Sequence, residues 1–212
     1  MEARLTNLPT RELIERLATS DPIPGGGSAS ALAGAMGAAL VHMVVALTVG
    51  RPAAAGHEEA LDEIGADAVA AQSDLLRLAE LDAVAYDAVI QARRLPKGTD
   101  LERRSRETQM HQATREATMV PLETVRRAAD VLALAARLAP VGNRNAVSDV
   151  GVGALLAVTA MRGAALNVRI NLPYLADNDP LRDDADAELD RRLDQLDQRE
   201  RDVRAAVEGR LG

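Results

Sequence analysis

The chain has 212 residues, enough for one sizeable core, and its 47% hydrophobic content includes two Tyr but no Phe and no Trp. A core of Ala, Leu and Val favours helices in close contact over strands. The absence of Cys excludes disulfides, thiolate metal sites and cysteine nucleophiles. A net charge of −7 and a pI near 5.1 argue against a nucleic-acid partner. No apolar leader opens the chain, so the expected location is cytoplasmic.

No strand-like alternation and no internal repeat is evident. The expected fold is all-α, one domain over residues 1–212: a multihelical bundle of long, partly kinked helices around a buried Ala/Gly-rich central helix. In chain order, Thr10 caps a short helix ending near Ser20, with Leu13, Ile14 and Leu17 on one face. Then comes Pro22-Ile23-Pro24-Gly25-Gly26-Gly27-Ser28. The prolines hold the approach extended, the glycines admit close backbone contact, and Ser28 is placed to cap a helix over 28–49. A glycine turn opening a helix gathers unpaired N–H groups at the positive end of the dipole and suits an anion. The plainer alternative is a packing turn in a tight bundle. No Gly-Lys-Ser/Thr and no preceding strand pattern is present, so it is neither a Walker loop nor a dinucleotide fingerprint.

Residues 29–50 contain no Asp, Glu, Lys or Arg, and about 20 such residues can span a bilayer. Ser30, His42, Thr48 and the many Ala and Gly contribute little transfer energy. The expectation is no membrane span but a central helix buried on all sides, partly by a second subunit. A long helix follows over 57–93 and ends before Pro96-Lys97-Gly98. Thr99 or Asp100 starts the next, which Pro121 should kink or break on its way to about Ala139. After a loop at 140–147, Ser148 caps a helix reaching about Ile170. A charged helix over 181–211 completes the chain, with Leu189, Leu193, Leu196 and Val203 as its sparse apolar stripe. It reads as an amphipathic helix packed on the bundle, with a partner-binding tail as the alternative.

The chemistry is concentrated in a few polar residues at core positions. Leu61, Ile64, Ala68, Ala71, Leu75, Leu78, Asp82, Ala85 and Val89 follow the three-four spacing of a packed seam, and Asp82 alone is polar. A buried carboxylate is costly unless paired, and desolvation raises its pKa toward values useful for proton transfer near neutrality. A buried salt bridge to one of the many Arg is the alternative. Tyr86, one turn later, shares that face. Asn143, Asn145, Ser148 and Asp149 crowd the start of the helix that ends in Asn167-Val168-Arg169-Ile170-Asn171. Asn167 and Asn171 share a face, and their amides suit the amide edge of a heterocycle; Ser148 and Asp149 also read as ordinary capping residues. His42, His57 and His111 have no metal-ligand spacing.

Taken together these segments resemble the cyclodeaminase/cyclohydrolase family of folate one-carbon metabolism, over roughly residues 8–178. The resemblance rests on the run at 22–28 with its Ala/Gly helix, Leu47-Thr48-Val49-Gly50, Asp82 with Tyr86, and Leu95-Pro96-Lys97-Gly98-Thr99. It continues in Val120-Pro121-Leu122, Gly142-Asn143, Ser148-Asp149 and the segment from Asn167 to Asn171. It implies an all-helical homo-oligomer, a homodimer or larger, with the active site near a subunit interface. It also implies a folate substrate attacked at the bridge between N-5 and N-10, by cyclohydrolase or cyclodeaminase chemistry. Asp82 matches the family's catalytic aspartate. Gly25, Gly26, Gly27, Ser28, Tyr86, Asn143, Ser148, Asp149, Asn167 and Asn171 are the expected substrate-binding set, with no metal and no cofactor. One departure follows Gly50: Arg51 precedes Pro52-Ala53-Ala54-Ala55-Gly56 where relatives carry a basic and aromatic cluster. A helical binding or scaffold protein without catalysis is the alternative from another class; a Leu at 82 would suit it better than Asp.

Overall fold

The computed structural model describes residues 4–211; residues 1–3, the head of the segment in which no apolar leader is expected, and residue 212 lie outside the described residues. Among the described residues there are no strands. The α-helices are α1 (Thr10–Leu17), α2 (Gly26–Thr48), α3 (Glu58–Arg94), α4 (Asp100–Leu138), α5 (Val147–Asn171), α6 (Leu181–Leu193) and α7 (Leu196–Leu211). The four long helices close a ring: α2 packs on α3, α3 on α4, α4 on α5, and α5 returns to α2. The fold is thus all-α, as its composition dictates.

Small side chains set the spacing of this ring. A Cβ on Gly37 would come within 2.8 Å of the Gly153 carbonyl oxygen, and one on Gly153 within 3.1 Å of the Gly37 carbonyl oxygen. The α2 and α5 backbones therefore touch, and Ala31, Ala35, Ala38, Ala154, Ala157 and Ala160 fill the rest of the contact. α3 contributes the expected seam: Leu61, Ile64, Ala68, Ala71, Leu75, Leu78, Ala85 and Val89 are all buried, whereas Asp82 is half-buried. Acidic Glu58 and Glu59 open α3 and Arg93 and Arg94 close it, matching the helix dipole. α4 begins with a capping box in which Thr99 and Glu102 satisfy each other's backbone N–H groups.

Several local expectations are corrected. Pro9, not Thr10, is the N-cap of α1, because the ring of Pro9 already holds the chain extended there. α2 starts at Gly26 with Gly25 as N-cap, so Ser28 is a buried residue of the helix and not its cap. Ser148 likewise lies inside α5, whose N-cap is Ala146. α4 runs unbroken through Pro121. The carboxyl-terminal segment is two helices, parted at Gln195, which adopts φ 56°. That turn lets α6 lie against α4 and α5 while α7 lies mainly along α5, with Leu189, Leu196, Val203 and Val207 all reaching the core. Arg126 clamps α6 to α4 through Glu188, whose carboxyl the Arg126 hydrogen bond lowers to about 2.

α2 is not buried on all sides within one chain. Gly26–Thr48 and Arg144–Tyr174 are both long and apolar enough to cross a membrane, and about half of each apolar window is buried in the bundle. The uncovered sides carry Met36 at 55% exposure, Met43 and Leu47 on α2, and Val152, Leu155 and Leu166 on α5.

The two α2 glycines should respond differently to a methyl group. At Gly34 the new Cβ meets the Ala160 methyl and the flexible end of Leu75 at 3.2 Å, and better helix propensity, about 1 kcal/mol, offsets the crowding. At Gly37 it meets backbone, which cannot yield locally. Gly34→Ala should leave the melting temperature almost unchanged, whereas Gly37→Ala should cost about 1–3 kcal/mol. Thermal denaturation of the two variants side by side checks this; equal melting temperatures would show that the α2–α5 contact has slack.

Candidate active site

The amino end of α2, the second half of α3 and the carboxyl end of α5 meet around a cavity of about 180 Å³. Gly25, Gly26, Gly27, Asp82, Tyr86, Asn167 and Asn171 line it, so most of the expected binding set is brought together. Pro22, Ile23, Ala83, Ala117 and Ile170 complete the wall. Sequence reasoning did not single these five out, although Pro22, Ile23 and Ile170 sit inside segments it quoted. Among the described residues, Asp82 and Tyr86 are the only ionisable ones that line it.

Asp82 sits at the helix end that the glycine run opens. A Cβ built on Gly27 would fall on the Asp82 carboxylate, 2.5 Å from Cγ and 2.7 Å from Oδ2. Glycine is required there because the carboxylate occupies the space of a side chain. The anion received by the amino terminus of α2 is therefore a side chain of this chain, with the cavity beyond it. Ser28, fully buried, places its hydroxyl 3.0 Å from Asp82 Oδ2 and 2.9 Å from the Ala79 carbonyl oxygen. Burial pushes the Asp82 carboxyl above its ordinary value, and the Ser28 hydroxyl and backbone N–H pull it part of the way back. Among the described residues no ion pair forms at Asp82, which removes the structural salt bridge as its explanation.

On the opposite wall, Asn167 lies beside Gly26: a Cβ there would stand 3.6 Å from Asn167 Nδ2, an ordinary contact. Asn167 Nδ2 donates to the Gly163 carbonyl oxygen at 2.9 Å. Asn171 Nδ2 donates to the carbonyl oxygens of Ala117, at 2.8 Å, and Asn167, at 3.0 Å. Tyr86 is 41% exposed at the mouth of the cavity.

Asn143, Ser148 and Asp149 are not brought to this cavity. Asn143 is fastened to the far end of α2, through its N–H to Thr48 Oγ1 at 2.8 Å and its Nδ2 to the Leu47 carbonyl at 3.0 Å. A helix of 23 residues separates that end from Gly26 by about 33 Å. Ser148 and Asp149 occupy the first turn of α5, whereas Asn167 and Asn171 lie in its last two turns. Residues 51–56, where the chain departs from the resemblance, also follow the far end of α2, so the departure does not touch the cavity around Asp82.

The Formiminotransferase-cyclodeaminase family matches residues 9–191 of the chain. A methenyltetrahydrofolate cyclohydrolase of Methylorubrum extorquens is 42% identical over 164 residues, covering 77% of this chain and 79% of the relative. A formimidoyltransferase-cyclodeaminase of Mus musculus is 32% identical over 177 residues, 84% of this chain but only 33% of that longer protein. The crystal structure of a formiminotetrahydrofolate cyclodeaminase from Thermotoga maritima superposes with a TM-score of 0.84 at 28% identity, covering 96% of this chain and 97% of that one. Sequence, extent and fold agree, and the chain belongs to the formiminotransferase-cyclodeaminase family.

Proposed function

We propose that the chain is a folate enzyme acting at the bridge between N-5 and N-10, as a methenyltetrahydrofolate cyclohydrolase with Asp82 as its proton-transfer group. The observation that carries this is a half-buried carboxylate of raised pKa, without an ion pair among the described residues, held at a helix amino terminus and open to a cavity. The 42% identity to a cyclohydrolase over most of both chains favours that reaction. Cyclodeamination of formiminotetrahydrofolate is the second reading, favoured by the nearly complete coverage of the cyclodeaminase structure.

In the hydrolytic reading, water adds to the cationic methenyl carbon while the Asp82 carboxylate takes one of its protons. Asp82 then returns that proton to N-5 as the carbon–nitrogen bond breaks, and the new hydroxyl loses its proton to become the formyl oxygen. In deamination, N-10 attacks the formimino carbon, Asp82 takes the N-10 proton and passes it to the amino nitrogen, and the carbon–nitrogen bond breaks to release ammonia. Either way the residue must hold and release a proton in turn, which suits a carboxyl of raised pKa. Ser28 serves both states: it donates to the ionised carboxylate, and it accepts from the protonated one while donating to the Ala79 carbonyl. Before reaction the ionised Asp82 also faces the substrate cation.

A cavity of about 180 Å³ is smaller than the roughly 300–1,000 Å³ of sites that enclose a whole organic ligand. It accepts one part of the substrate, and among the described residues no Lys or Arg lines it to hold a glutamate tail. The rest of the ligand then lies along the mouth and, in a homodimer, against a second subunit. The uncovered apolar sides of α2 and α5 supply the surface for that subunit.

A paired assay of the purified protein tests the reading: loss of methenyltetrahydrofolate absorbance, and ammonia release from formiminotetrahydrofolate. Turnover of neither substrate would end it. Asp82→Asn should lower turnover at least about a hundredfold. Folded Asp82 binds its proton more tightly than unfolded, so its contribution to stability falls as pH rises from the ordinary carboxylate value of 3.8 through the raised one. Asp82→Asn should therefore raise the melting temperature at pH 7, and the gain should vanish as pH falls toward 4. Gly27→Ala should displace the carboxylate and abolish turnover, whereas Gly26→Ala, with an ordinary contact at the same place, should fold normally and affect mainly the Michaelis constant. Equal activity in the two glycine variants would show that the seat of Asp82 on Gly27 is dispensable.

A further inference from the structure

Pro121 sits in the interior of α4 and is buried there. Proline has no N–H, so the carbonyl of Ala117, four residues earlier, loses its α-helical donor. Ala117 is 8% exposed and lines the cavity, and a carbonyl left unpaired in such a place is costly. Asn171, from the last turn of α5, supplies the missing donor: its Nδ2 stands 2.8 Å from the Ala117 oxygen and 3.0 Å from the Asn167 oxygen. Both partners are carbonyl oxygens, which only accept. The amide orientation is therefore forced, because a flipped side chain would set Oδ1 against two oxygens. Nδ2 has two hydrogens, and both are committed.

We propose that Pro121 and Asn171 act together to fix the polarity with which the cavity reads its ligand: Asn171 presents Oδ1 as a pure acceptor and selects a ligand with an N–H donor at that point. This rests on the folate reading for the identity of the ligand, whose reduced heterocycle carries ring and amino N–H groups. Asn171 Oδ1 makes no hydrogen bond among the described residues, and Asn171 belongs to the cavity wall. Asn167, one turn earlier, commits a single N–H to Gly163 and keeps one N–H and Oδ1. The wall thus offers an acceptor from Asn171 beside a donor and an acceptor from Asn167. A site of this kind rejects an analogue lacking the N–H, because the acceptor is then buried unpaired. An N–H restored at position 121 would give the Ala117 oxygen its helical donor, compete with Asn171 there and loosen one of its hydrogens.

Asn171→Ala, Pro121→Ala and the double variant separate reading from packing. Asn171→Ala should lower the melting temperature by about 3 °C or more, because the Ala117 carbonyl loses its partner. It should also raise KM for the folate substrate about tenfold, with kcat changed much less. In the double variant the new N–H of residue 121 should restore the melting temperature to that of Pro121→Ala, while KM stays about tenfold raised. Recovery of KM together with stability would overturn the assignment and leave Asn171 a packing residue. Failure of the melting temperature to recover would overturn the link to Pro121. Slow hydrogen exchange of both Asn171 side-chain amide protons in the free protein, with one accelerated in Pro121→Ala, is also expected; rapid exchange of either in the unaltered protein would overturn the locking. That measurement and the melting temperatures need no folate, so they decide the locking even if the unaltered protein turns over neither folate and the proposed function fails.

Discussion

The Asp82 carboxylate lies where a side chain on Gly27 would have to be, and this one contact sets the depth at which α2 enters the bundle. Any side chain at 27 would push α2 away from α3, and with it the Ser28 hydroxyl that bridges Asp82 and the Ala79 carbonyl. The same close approach continues along the helix. Once α2 is pressed onto α3 at its amino end, it can also touch α5 only if Gly37 and Gly153 stay without side chains. The composition of α2, almost free of large side chains on its buried face, is thus a consequence of where the carboxylate sits as much as of packing density.

The placement also balances the electrostatics of Asp82. Burial raises the cost of its charge, while the helix terminus and Ser28 lower it, and burial keeps the larger share. A carboxylate paired with Arg would stay ionised and be useless as an acid. One buried without hydrogen bonds would stay protonated and be useless as a base. Between these limits, with a hydroxyl able to serve either form, the group can do both within one turnover.

The helices and the suspect residue were legible because both are properties of one segment. Asp82 broke an otherwise apolar spacing, and that break survives in the folded chain as the one half-buried position of the seam. What was not legible depended on partners far away in sequence. Pro121 reads as a break, yet α4 continues because Asn171, fifty positions further on, fills the vacant carbonyl. Ser28 follows glycines as a cap would, but the helix starts two residues earlier so that its hydroxyl can meet α3. The apolar stripe at 185, 189, 196, 203 and 207 keeps one helical period across Gln195, so nothing local marks the turn between α6 and α7. In the sequence, Asn143, Ser148 and Asp149 group with Asn167 and Asn171 because all five lie at the ends of one helix. A helix of 25 residues holds its ends about 36 Å apart, and only the carboxyl end meets Asp82.

The polar side chains deepest in this site share one design. Ser28 is tied to the Ala79 carbonyl, Asn167 to that of Gly163, and Asn171 to those of Asn167 and Ala117. Each is anchored to main chain of a packed helix, so its remaining hydrogen-bonding face is fixed before a ligand arrives and little is lost in orienting it. A helix carbonyl normally has one donor, and its second lone pair is what lets it hold a side chain in this way. At Ala117 even the first is vacant, and the site takes both the anchor and its polarity from a proline that a helix interior would otherwise exclude.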